Sequence, residues 1–147
     1  MTGQADTAAA ERDIAALCRA LAAAHADKDA DAIVDCYAAD ALIYSLAPPL
    51  GARGMDRDGV AAWLATWDGP IRVDAADVDL TVRGDVAYAT ALNRMRGRKT
   101  DGEDIDLWFR TTLCFGRADG RWRIVHDHAS VPFLMDGSYR AALDLKP

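Results

Sequence analysis

From Ile71 onward the chain is written in strand grammar. Four segments, at approximately 71–82, 86–96, 104–116 and 121–132, alternate apolar and polar residues. They are separated by "RGD", "GRKTDG" and "RADG", which carry hairpin-turn chemistry. Long strands joined this tightly predict a four-stranded antiparallel meander, which needs a partner for its apolar face.

That partner precedes it. Ala8 to His25 is rich in alanine, with Ile14, Leu17, Cys18 and Leu21 on one side, so the spacing predicts a long amphipathic helix. Asp6 or Thr7 is placed to cap its start and "HADKDA" ends it. A second, short helix carries Ile33, Cys36 and Tyr37 on one face, before "DALIYSL" turns strand-like and "APPLGARG" breaks regular structure. Asp56 to Trp67 reads as a third helix, its stripe made by Val60, Trp63, Leu64 and Trp67, stopped by "DGP". Helices first and a meander second predict an α+β domain.

At 147 residues and 51% hydrophobic content the chain holds one core, so a single domain over residues 1–147 is expected. Its net charge of −6 comes without a basic stripe, which argues against a nucleic-acid partner. No apolar run approaches the ~20 residues needed to cross a bilayer. The amino end lacks the basic, apolar and cleavage regions of a secretory signal, so no membrane association and a cytoplasmic location are expected. Cys18, Cys36 and Cys114 are far apart with no paired spacing, and read as buried thiols. No nucleophile elbow, phosphate loop, dinucleotide fingerprint or zincin helix is present, and no cofactor is implied.

The order of elements, and above all "DLWFRTTLCFGRADGRWRIVHDHASVPF" at 106–133, resembles the ketosteroid-isomerase-like, or SnoaL-like, branch of the nuclear-transport-factor-2-like superfamily. Arg110 and Thr112, the turn at Asp119-Gly120, and Trp122, Ile124, His126, His128 and Ser130 at every second place carry the likeness. "DALIYSLAPPLG" and "WDGPI" support it. The resemblance implies a cone: three N-terminal helices packed in a curved antiparallel sheet around a mostly apolar central pocket for a small molecule. It commonly also implies a homodimer formed through the outer sheet face. Its members include isomerases, dehydratases, cyclases, epoxide hydrolases, kinase association domains and proteins without known chemistry, so the site must carry any function.

Strand parity sorts the candidates. Ile105, Leu107, Phe109, Thr111, Leu113 and Phe115 form the natural inner face of their strand. By likeness to the kinase association domains, Val125, Asp127 and Ala129 look into the cavity with His126 and His128 behind, unless a β-bulge reverses the parity. Tyr88, Thr90 and Arg94 are expected to share the cavity with Asp127. A carboxylate there has a raised pKa and can abstract a proton beside a carbonyl, the chemistry the resemblance suggests. Arg94 and Tyr44 or Tyr88 would orient or polarise the substrate. The bland alternative is an ion pair of Asp127 with Arg94 or Arg123, or a carboxylate bound to backbone amides.

Tyr37, Trp63, Trp67, Thr90 and Phe109 are candidates to line the site. His126 and His128 offer two imidazoles on one strand face, but no third ligand is evident, so no metal is expected and a structural or ligand-contacting role is favoured. Arg110 can anchor an anionic ligand or join a surface network with Asp106. The leading expectation is a cofactor-independent isomerase, dehydratase or cyclase acting on a hydrophobic carbonyl compound. The rival is a non-catalytic ligand-binding or dimerisation module. An epoxide-hydrolase-like site ranks third, for want of an Asp–Arg–Asp set.

Overall fold

The computed structural model describes residues 2–147. Its elements run α1 (Thr2–Ala26), α2 (Ala30–Asp35), β1 (Tyr37–Tyr44), β2 (Ala52–Arg53), α3 (Arg57–Leu64), β3 (Trp67–Arg83), β4 (Val86–Lys99), β5 (Asp104–Ala118) and β6 (Arg121–Ser130). The expected α+β class and the meander β3 to β6 are present, and β1 and β2 extend the sheet to six strands ordered β2-β1-β6-β5-β4-β3. Only β1 and β6 pair in parallel.

The helices begin and end for local reasons, and three expectations fail there, the first being that α2 ends at Asp35, so Tyr37 opens β1 instead of lying on the helix face. α1 includes Asp6 and Thr7, and the Thr7 hydroxyl donates back to the Gly3 carbonyl at 2.8 Å, so neither residue starts the helix. The alanine-rich run makes extra turns inexpensive. α2 and α3 are capped by Asp29 and Asp56, whose carboxylates accept from the Ala32 and Asp58 amides. α3 stops at Leu64, so Trp67 opens β3 instead of closing the helix stripe. There the sheet captures the chain: Trp67 pairs with Lys99 and Asp68 with Arg98, and the register shift between Asp68 and Arg72 absorbs Gly69 and Pro70 within an edge strand. Gly97 is required opposite, because a Cβ there would lie 2.9 Å from two ring carbons of Trp67.

The helices cover the inner face of the curved, unclosed sheet, with α1 packed chiefly against β3. Further register shifts, at Ala76/Asp79 in β3 and at Cys114/Phe115 between β5 and β6, bend the strands around them. Ile14, Ile33, Ile71, Phe115 and Ile124 are the largest fully buried side chains and join α1, α2 and the inner face in one core. After β6 the chain folds back on itself through the Phe133–Ala141 bridge. Among the described residues no helix is long and apolar enough to cross a membrane.

Candidate functional site

The β5–β6 bulge decides the site. Phe115 pairs with Ile124, but Cys114 pairs with His126 and Leu113 with Asp127, so Val125 is the extra residue. Trp122 and Ile124 therefore point inward before the bulge, and Asp127 and Ala129 do so after it. His126 and His128 lie on the outer face. Strict alternation would have put Ile124 and Asp127 on opposite sides.

The register then corrects the expected neighbours of Asp127. Directly paired residues project to the same side, and Asp127 pairs with Leu113, which pairs with Ala89. The small residues of β4, Ala87 and Ala89, are buried, whereas Tyr88 is 50% exposed. Tyr88, Thr90 and Arg94 thus occupy the outer face and do not share the inner space with Asp127. Arg94 instead holds Asp106 through two hydrogen bonds of 2.7 Å and lies over the Trp108 ring. Arg110 has no bond to Asp106; its guanidinium donates to the Ser130 hydroxyl at 3.2 Å.

Tyr44 is likewise displaced from the expected catalytic set. Ile43, not Tyr44, pairs with Asp127, and the Tyr44 ring stands edge-on to His126 and His128 at 5.2 and 5.4 Å. His126 Nδ1 is 2.8 Å from the Leu42 carbonyl oxygen, which ties it to β1. Among the described residues no three His, Cys, Asp or Glu side chains converge to hold a metal ion.

On the inner face Asp127 meets Tyr37, whose hydroxyl donates to Oδ2 at 2.7 Å. No Lys, Arg or His nitrogen among the described residues comes within ion-pairing distance of the carboxylate, so neither Arg94 nor Arg123 neutralises it. Burial raises the Asp127 carboxyl above its ordinary value, against the Tyr37 hydroxyl and the nearby histidines, which pull it down. Tyr37, nearly sealed from solvent, has its phenol pushed well above the usual value by burial and by the Asp127 charge, so it remains a donor.

Two further groups were not singled out from sequence as site residues. His25 closes α1, four residues after Leu21 and seven after Cys18, on the inward stripe; that spacing was the signal available. Its Nδ1 lies 2.8 Å from the Leu21 carbonyl oxygen, and its ring stands edge-on to Trp63, which in turn meets Trp67. Burial lowers the His25 pKa, opposed by the Leu21 carbonyl and the Asp127 charge. Asn93 donates to the Thr111 hydroxyl at 2.7 Å, placing a polar pair on the face that also carries Phe109, Leu113 and Asp127. The Trp67 indole N–H is buried without a protein partner.

Residues 14–134 match the SnoaL-like domain family. A nuclear-transport-factor-2-like protein of unknown function from Pseudomonas putida is 30% identical, with a TM-score of 0.81 over 95% of this chain and 98% of that one. A protein from Novosphingobium aromaticivorans, provisionally named a scytalone dehydratase, is 19% identical, with a TM-score of 0.75 over 97% and 96% of the two chains. A nuclear-transport-factor-2-like superfamily protein from Salmonella enterica is 15% identical, with a TM-score of 0.76 over 91% and 99%. No curated protein matches the chain significantly. The family match over most of the chain, together with the sheet order and enclosed helices, places this protein in the SnoaL-like domain family of the nuclear-transport-factor-2-like superfamily.

Proposed function

We propose that the protein binds a hydrophobic carbonyl compound in the concavity between its helices and sheet and moves a proton on it by acid/base catalysis, as an isomerase, dehydratase or cyclase. The observation that carries this reading is the inward, half-buried Asp127 carboxylate with no cationic partner and one donor, Tyr37. A carboxylate held above its ordinary pKa is a stronger base than an exposed one. Tyr37 engages Oδ2, leaving Oδ1 to accept a proton from carbon. Phe109, Leu113 and Ala129 share this face without being sealed, which suits an apolar ligand. The likeness to a protein provisionally named a dehydratase agrees with this reading.

The test is deuterium exchange. Hydrophobic ketones incubated with the protein in heavy water should exchange hydrogen at the carbon beside the carbonyl, followed by NMR. Asp127→Asn should slow this by about a hundred-fold or more. A wild-type protein no faster than buffer on such ketones, or a variant as fast as wild type, refutes the proposal.

A homodimer through the outer sheet face also belongs to this reading. That face presents Tyr44, Tyr88 and Val86 partly exposed beside His126 and Cys114, an apolar and aromatic surface of the kind found at interfaces.

A further inference from the structure

The outer face of β6 carries two imidazoles that one chain alone cannot turn into a metal site. We propose that His126 and His128 are half of a divalent-cation site, completed by the same pair from a second copy of this chain, so that four imidazoles hold one zinc-like ion at the two-fold axis. This rests on the outer-face homodimer proposed above.

A spacing of two along one strand puts both rings on the same side of the sheet, with centroids 6.2 Å apart. The Tyr44 ring stands edge-on to both and walls them on the β1 side. Tyr44 is itself backed by Gly51, where a Cβ would lie 2.8 Å from its Cε1. A carbonyl oxygen only accepts, so the 2.8 Å contact with Leu42 places a proton on His126 Nδ1 and leaves Nε2 with a free lone pair. A backbone carbonyl on the far nitrogen is the usual outer support of a metal-bound histidine, because it fixes the tautomer and raises the basicity of the ligating atom. The His128 ring is exposed and makes no hydrogen bond among the described residues. Metal–nitrogen bonds of about 2.0–2.1 Å require the two rings to converge, and His128 has the freedom to supply that motion.

Within one chain the set stops at two, since no third His, Cys, Asp or Glu among the described residues converges with them. Cys114 pairs with His126 across the sheet, but burial raises its thiol, so the imidazoles are the ligands available at neutral pH. No carboxylate among the described residues lies within ion-pairing distance of either ring. Neutral nitrogen ligands select zinc, copper or nickel over calcium and magnesium, which take oxygen.

The second copy supplies what is missing. His126, Cys114 and Tyr88 form one row across β6, β5 and β4, so the imidazoles belong to the same outer surface that the dimer buries. An isologous interface sets a patch against its own copy, which brings two such pairs together around the axis. Burying them there strips water from nitrogens that have no protein donor, and an acceptor buried without a partner destabilises the interface. A single cation satisfies all four at once and completes the tetrahedral set that zinc prefers.

The probe is Zn²⁺, titrated calorimetrically into untagged protein freed of metal with EDTA. Wild type should bind one ion per two chains. His128→Asn, an exposed position outside the inner space, should weaken binding by at least about a hundred-fold, since the loss of a mere outer-shell partner already costs 10–100-fold. Cys114→Ser should bind as wild type does. In light scattering, zinc should lower the concentration at which the dimer dissociates, because the ion binds only the paired form. A dimer that takes up no zinc overturns the site and leaves the interface standing; a monomer in the presence of zinc overturns both. One ion per chain, an affinity unchanged in His128→Asn, or a loss in Cys114→Ser as large as in His128→Asn each overturns the shared four-imidazole set.

Discussion

Removing one hydroxyl, by Tyr37→Phe, isolates the cost of holding Asp127 ionised inside the cone. The ring stays, so packing is conserved, and only the 2.7 Å bond to Oδ2 is lost. Hydrogen bonds to charged groups contribute about 1.5–3 kcal/mol, and Tyr37 is only 7% exposed, so water does not simply replace the donor. Asp127 is itself only half-buried and can recover some hydration, which places the expected loss near pH 7 at the lower end, roughly 1.5–2 kcal/mol. The sign with pH follows from the raised carboxyl. A group that titrates above 3.8 when folded contributes stability at low pH that is lost as pH rises through its folded value. Tyr37→Phe pushes that value further up and deepens the loss at neutral pH. Once Asp127 is protonated, only a neutral hydrogen bond remains to lose, about 0.5–1.5 kcal/mol. Urea unfolding of both proteins from about pH 7 down toward pH 4 should therefore show the gap narrowing with acid. A gap that is constant, or that widens with acid, would mean that the carboxylate is not what Tyr37 supports.

Arg94→Ala should leave the unfolding midpoint nearly unchanged, because its pair with Asp106 is a solvent-screened surface pair, and should leave the Asp127-dependent exchange rate within about two-fold. A collapse of exchange would return Arg94 to the inner space. For self-association, light scattering of the wild type should give a dimer, and Tyr88→Glu, which places a charge at a half-exposed point of the outer face, should shift it toward monomer. A wild-type monomer at working concentration removes the dimer.

The meander, the covering helices and the inward side of β5 were legible in the sequence because each rests on periodicity over ten or more residues. Phe109, Thr111, Leu113 and Phe115 therefore fell on one face as expected. Boundaries were less legible. Trp67 continues the spacing of α3, but its pairing with Lys99 outweighs one more helical turn. Nothing near Trp67 in the sequence announces a partner 32 residues away.

The site divides along the same line. Asp127 was identifiable as the acidic residue between two histidines in the last strand, and its inward direction came from family likeness. Its neighbours depended on register, which is a relation between strands and not a property of either. A single extra residue at Val125 puts both Ile124 and Asp127 inside, and the pairing of Leu113 with Ala89 sends Tyr88, Thr90 and Arg94 outside. Local spacing thus specified which residue types each element carries and on which stripe. The contacts of Asp127 with Tyr37, 90 residues earlier, and its electrostatic reach to His25 on α1 arose when bulges and long-range pairing folded the sheet around the helices.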